Sequence, residues 1–163
     1  GFEEDAPVHI VDIYPTLLKM AGIKKPAQHI LDGKDFSPLL IQQRNAGREF
    51  KERAIYFYQP LYDIQWGATP SAAIIENGYK LIHFFGDYID LENESEYIPE
   101  GRTELYDLST DPGESDDISR KRPEIVLEMK KKLDEWIRSQ GAEEPVLNPD
   151  FDIKKWNERT NQK

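Results

Sequence analysis

The chain has 163 residues, 38% of them apolar and 32% charged, which is enough for one domain with a modest core. A formal net charge of −10 argues against binding a phosphate backbone or an anionic lipid surface, so neither nucleic acid nor membrane is an expected partner. The lack of cysteine excludes disulfides, zinc–thiolate sites and cysteine nucleophiles, and no apolar run reaches the roughly 20 residues that span a bilayer.

The first seven residues, Gly1 to Pro7, have neither the basic nor the apolar region of a signal peptide. Asp12 then precedes a stretch with helical spacing, Ile13, Leu17, Met20 and Ala21. Its carboxylate is placed to cap the free N–H groups of the first turn. Pro15 falls where a missing N–H costs little, and Gly22 supplies a left-handed stop. The expectation is a helix over Ile13–Ala21 with a buried face. Asp32-Gly33 marks a turn, Ser37-Pro38-Leu39-Leu40 a helical turn opened by proline, and Gln42 to Lys51 a polar surface loop.

Ala54 to Tyr58 is β-rich and stopped by Pro60. Ser71–Glu76, Asn77-Gly78 and Tyr79–Phe85 together read as an antiparallel hairpin, because Asn-Gly favours the positive φ of a two-residue turn. Gly86 to Arg102 is acidic and irregular, with a charge run Leu91–Glu96 that reads as a solvated loop. Thr103–Leu108 alternates as a further strand, and Asp111-Pro-Gly-Glu114 is a turn. Pro123 to Gln140 carries one apolar stripe, Ile125, Val126, Met129, Leu133, Trp136 and Ile137. Glu128 and Lys132 form a pair four apart, and Gly141 is the stop. The expected fold is α+β: a small antiparallel sheet of three or four strands packed on a long C-terminal helix. Residues 142–163 are expected to be an extended tail.

Candidate chemistry is sparse. His9, His29 and His83 are far apart and match no metal spacing; His83, among Leu81, Ile82, Phe84 and Phe85, reads as an imidazole on the polar face or rim of a sheet. Asp87, Asp90, Glu92 and Glu94 lack the framework of a calcium loop. There is no G-x-S-x-G, no P-loop and no G-x-G-x-x-G, and Lys130-Lys-Lys132 reads as a solvated helix face. No metal ligand is assigned. The aromatic loop Tyr58-Gln59-Pro60-Leu61-Tyr62 through Trp66 is the leading candidate, either a platform for a sugar or other ring or a lid on a small core.

Taken in order, the motifs resemble sulfatases of the arylsulfatase-like branch of the alkaline phosphatase superfamily. Val11-Asp-Ile-Tyr-Pro-Thr-Leu-Leu-Lys-Met-Ala-Gly-Ile23, then Pro26 and Asp32-Gly33, resembles their V-D-I-x-P-T-L-L-x-L-A-G-I…P…D-G segment. Asn77-Gly-Tyr-Lys-Leu-Ile82 resembles a G-x-Y-K-L strand, and Glu104-Leu-Tyr-Asp-Leu-Ser-Thr-Asp-Pro-Gly-Glu114 an E-L-Y-D-L-x-x-D-P-x-E motif. The helix near Trp136 matches the closing helix of that family, and Pro145-x-x-Asn-Pro-Asp-Phe-Asp152 resembles a tail of arylsulfatase-like members.

The resemblance implies the C-terminal part of a sulfuric ester hydrolase. Residues 1–50 would end the catalytic domain and connect it, 51–141 would form a sheet subdomain with its closing helix, and 142–163 a tail. In the family the nucleophile is a formylglycine made from a C/S-x-P-S/A-R motif, and calcium is held by upstream acids. No Cys and no S-x-P-x-R occurs here, so no catalytic residue carries over and both groups are expected in an N-terminal catalytic domain. Tyr58, Gln59, Tyr62 and Trp66 become candidates for the substrate rim. Where related members often carry H-x-P-H, this sequence has Tyr58-Gln59-Pro60-Leu61, without the imidazoles. The implied substrate is a sulfated carbohydrate or aryl sulfate, and the implied location periplasmic or secreted. A phosphonate monoester or phosphodiester hydrolase, and a free-standing carbohydrate-binding module, are the rival readings. Apolar surface near Leu17 and Leu39-Leu40, left for the catalytic domain to cover, would favour self-association of the isolated chain.

Overall fold

A computed structural model describes residues 2–4, 6–42, 46–51, 53–61, 69–86, 101–146, 149–150 and 152. The chain divides into two compact units, Gly1–Ile55 with Glu76–Gly78, and Tyr56–Ile75 with Tyr79–Lys163.

In the first unit a 3-10 turn, Ile10–Asp12, runs directly into α1, Ile13–Met20. The extended residue before the turn is His9. Its Nδ1 accepts the Val11 N–H at 3.5 Å, while the Asp12 carboxylate accepts the His9 N–H at 2.6 Å. This corrects the expectation for Asp12. Its backbone is already helical, with φ −78° and ψ −18°, and its side chain makes no cap bond to α1. A side-chain cap needs an extended residue at that point; here the extended residue is His9. The end of α1 follows the sequence: Gly22 takes φ +67°, and Ile23 and Gly22 donate back to the Leu18 and Lys19 carbonyls at 2.9 and 3.1 Å. That is the double bond pattern of a glycine-terminated helix.

The expected buried face of α1 is corrected as well. Ile13, Leu17 and Met20 are exposed, and Thr16 is the buried residue of the helix. Periodicity fixes which residues share a face but not what covers it. The helical turn at Ser37 is present as α2, Ser37–Leu40, with Pro38 in its first turn; Leu39 is buried and Leu40 exposed, so only half of the Leu39-Leu40 patch is surface. The polar stretch after Gln42 contains a helix, α3, Ala46–Lys51, where a loop was expected. Phe50 is the reason: it is buried with Ala6 and Leu39 in a small core flanked by Phe36 and Ala46, and that anchoring outweighs the polar composition around it. Gly33 does more than turn the chain. A Cβ there would collide with the Val11 carbonyl, so the two segments cross at a distance only glycine permits.

The second unit is built on a sheet of β1 (Ile55–Gln59), β2 (Ser71–Glu76), β3 (Tyr79–Phe84) and β4 (Arg102–Asp107), each strand beside its neighbour in sequence. Asn77 and Gly78 take φ +52° and +81°, as a two-residue hairpin turn of the mirror-image type requires. β3 and β4 are antiparallel, with Leu81 opposite Leu105 and His83 opposite Thr103. Helix α4, Pro123–Ser139, packs on β3. Ile74, Leu81, Leu105, Leu133 and Ile137 are fully buried, and Met129 nearly so. Trp136 stacks flat on Tyr56, with ring centres 4.8 Å apart. Helix α4 ends as α1 does, with Gly141 at φ +65° and Ala142 donating to the Ile137 carbonyl. The outer edge of β4 is occupied: Ile118 donates to the Leu105 carbonyl, and Asp117 accepts the Leu105 N–H, which shields an edge otherwise open to foreign strands. The α+β architecture is thus the one expected, with four strands.

Candidate functional site

The most deeply buried charge is Asp12, with no exposed surface. Arg53 clasps it with both terminal nitrogens, Nη1 to Oδ1 at 2.9 Å and Nη2 to Oδ2 at 2.5 Å. The backbone N–H groups of His9 and Lys34 complete the set at 2.6 and 2.8 Å. Burial alone would raise the carboxyl, but the bonds from Arg53, His9 and Lys34 overcome it and hold the pKa at about 2. Arg53 also donates to the Pro7 carbonyl at 3.2 Å and lies over the Phe50 ring at 4.8 Å. One turn on, the Thr16 hydroxyl donates to the Asp12 carbonyl at 2.7 Å and accepts the Phe36 N–H at 2.9 Å. The constellation ties residues 7–12, α1, residues 33–36 and the approach to β1 into one knot. Four donors occupy the carboxylate, so it has no capacity left for a cation or for proton transfer. Sequence reading found Asp12 but not Arg53, which no local signal marks.

Of the sequence candidates for a substrate rim, Tyr58 and Gln59 lie on β1, on opposite faces of the strand. The Tyr58 hydroxyl donates to the Glu143 carbonyl, and its ring stands edge-on to Phe85 with centres 6.0 Å apart. Burial pushes the phenol pKa up, and the carboxylates of Glu144 and Glu143 add to the shift, so it stays a donor. Gln59 is exposed at the strand end. Tyr62 and Trp66 lie outside the described residues, as do Asp87, Asp90, Glu92 and Glu94.

His83 is half-buried near the end of β3, an inner strand, on the same face as the buried Leu81, which corrects the polar-face or rim reading. Its Nδ1 is 2.9 Å from the Thr103 hydroxyl and its ring is edge-on to Phe85 at 5.0 Å. Burial pulls its pKa down to about 4, with the Lys130 charge adding to this and Asp134 opposing it, so the ring is neutral near pH 7. The pair Glu128–Lys132 forms at 2.9 Å as the spacing implies. Among the described residues no three His, Asp or Glu side chains are grouped so as to hold a metal ion.

Comparison with known proteins places this arrangement. Residues 1–139 match the family model described as N-sulphoglucosamine sulphohydrolase, C-terminal. The chain is 28% identical over 147 residues to a sulfatase of Formosa agariphila, covering 83% of this chain and 24% of that protein. It is 30% identical over 133 residues to arylsulfatase K of Homo sapiens, covering 82% and 22%. The crystal structure of Ps i-CgsB in complex with k-i-k-neocarrahexaose superposes with a TM-score of 0.58 at 22% identity, covering 96% of this chain and 29% of that one. The sheet, its closing helix and the ordered motifs define a C-terminal domain of the sulfatase type. More particularly, the chain belongs to the N-sulphoglucosamine sulphohydrolase C-terminal family. It spans 24% and 22% of the lengths of the two relatives named.

Proposed function

We propose that this chain is the C-terminal part of an enzyme that hydrolyses sulfate esters of a carbohydrate, and that it completes the fold rather than supplying the reacting groups. The observation that carries the reading is the family match across residues 1–139. The chemistry of the residues supports it: the sequence has no cysteine and no S-x-P-x-R, and the one buried carboxylate among the described residues is saturated by Arg53 and two backbone N–H groups. In this reading an upstream part of the same polypeptide holds the formylglycine nucleophile and calcium, which supply the attack on sulfur and the Lewis acid. Residues 1–50 end that catalytic domain, 51–141 form the sheet subdomain, and 142–163 the tail.

The exposed apolar residues Ile13, Leu17 and Met20 of α1 are then the surface on which upstream chain packs. Gln59, exposed at the end of β1, remains the substrate-rim candidate of this subdomain. A sulfated sugar is favoured because the matched family is described by a sulphated glucosamine; an aryl sulfate is the second substrate to try. A periplasmic or secreted location accompanies the reading. The test is to express the whole reading frame and this chain separately and assay sulfate release from a sulfated glucosamine and an aryl sulfate. Release by the whole polypeptide and none by the chain is expected. Release by the chain alone, or none by the whole polypeptide from either substrate, overturns the proposal.

A further inference from the structure

At one end of the sheet four backbone segments share a single base. The Tyr58 ring, near the end of β1, stands edge-on to Phe85 at 6.0 Å. Phe85, just past β3, is edge-on in turn to His83 at 5.0 Å, and its N–H donates to the Pro70 carbonyl at 2.9 Å, immediately ahead of β2. The Tyr58 hydroxyl reaches past this cluster to the carbonyl of Glu143, two residues beyond the glycine that ends α4. Two residues earlier on the same face of β1, Tyr56 stacks on Trp136, so the strand is gripped by the last turns of α4 and by the segment that follows. Both stems of the connection between β1 and β2, at Tyr58 and at Pro70, are therefore fixed by contacts that meet at Tyr58 and Phe85. The C-terminal segment is the third party to that base. The Tyr58 hydroxyl is engaged by the tail and its ring by Phe85.

We propose that Tyr58 is a positioning residue: its hydroxyl latches the segment after α4 to the base of the β1–β2 connection, and this latch sets how Gln59 is presented to substrate. The inference rests on the sulfatase reading for its substrate part and on geometry alone for the latch. Tyr58→Phe keeps the ring and its edge contact with Phe85 and deletes only the donor, so it isolates the bond. In the whole polypeptide, cleavage by a glutamate-specific protease after Glu143 should quicken in Tyr58→Phe by roughly two- to tenfold, the range that one net hydrogen bond sets on an opening equilibrium. The KM for the sulfated sugar should rise by a similar factor with kcat unchanged. A chain ended at Ala142 should show the same KM shift, and the two changes together should give no more than either alone. Cleavage at the wild-type rate overturns the latch. A fall in kcat and melting temperature with KM unmoved overturns the positioning role in favour of a merely structural one. A wild-type polypeptide that releases no sulfate sinks the sulfatase reading instead, and the protease comparison still decides the latch.

Discussion

Ile74, Leu81, Leu105, Leu133 and Ile137 fill the interior of the second unit, on a sheet covered by a helix. In the first unit the corresponding residues face outward: Ile13, Leu17, Met20 and Ile23 are exposed, and the two residues most completely enclosed are Asp12 and Thr16. Its apolar core is small, Ala6, Leu39 and Phe50. One unit thus holds itself by apolar burial, which is non-directional and tolerant of small displacements. The other is held at its centre by a buried ion pair with hydrogen bonds in fixed directions, while Ile13, Leu17, Met20 and Ile23 lie at its surface. A charged knot of this kind adds little net stability compared with an apolar isostere, but it is costly to break and admits few alternative geometries.

The contrast makes its largest prediction at Asp12. Asp12→Ala leaves the Arg53 guanidinium buried without its counter-charge, which should cost about 3–5 kcal/mol. Hydrogen exchange resolves where the loss falls: the amides of Lys34 and Phe36, bonded to Asp12 and Thr16, should lose protection while those of Leu81 and Leu105 keep theirs. Equal loss in both units would show that the knot is not local. Leu133→Ala is the mirror experiment. It opens a cavity under the sheet and should cost about 2–5 kcal/mol, with Leu81 and Leu105 losing protection and Lys34 keeping it. Neither result follows if the two units share one cooperative core.

These two substitutions also mark how much of the molecule was legible in the sequence. The hairpin, the strands and α4 were legible because each has a local signal: Asn77-Gly78 for the turn, one-sided periodicity for the helix, Gly141 for its end. Asp12 was legible as a polar residue at a helix start, but its partners Lys34 and Arg53 stand 22 and 41 positions away. A cap and the centre of a knot look alike over six residues. α3 was missed for the same reason: Phe50 is buried only because Ala6 and Leu39 meet it. Tyr58 is legible as an aromatic at the end of a strand, but the carbonyl that engages its hydroxyl lies 85 positions on. Local propensity reads elements; it does not read the long-range partner that assigns a side chain its work.

Acid should separate the units again, in different pH windows. The Asp12 carboxyl lies at about 2 when folded against 3.8 as the ordinary value. Between those values the folded state holds fewer protons than the unfolded one. The contribution of Asp12 is therefore complete above its ordinary value and is lost as pH falls toward 2, a change of about 2 kcal/mol. His83 is also lowered, to about 4 from 6.5. Here the unfolded state takes the proton first while the folded ring beside Lys130 stays neutral, so the second unit should weaken earlier, as pH falls from 6.5 to 4. Denaturant midpoints taken by unit-specific exchange should show the sheet losing stability first and the Asp12 knot later. His83→Gln should flatten the first slope and leave the second. A slope unchanged by that substitution would mean that the imidazole titrates freely.

The smallest effect on stability is expected where the contrast is most exposed. Leu17 is 58% accessible on α1, and a substitution at such a position ordinarily changes the stability of a monomer by no more than about 0.5 kcal/mol. Leu17→Glu should therefore leave the unfolding midpoint of this chain where it was. The same substitution should weaken self-association at high concentration in sedimentation velocity, because it places a charge in the apolar face formed with Ile13 and Met20. In the whole polypeptide the outcome should invert. If upstream chain covers α1, the new carboxylate is buried without a partner, and the midpoint should fall by several kcal/mol rather than a few tenths. The face is defined by this inversion: an exposed leucine is ordinary, but one whose replacement is harmless in the part and damaging in the whole is an interface. If Leu17→Glu is harmless in both, α1 is plain surface, and its apolar stripe needs another explanation.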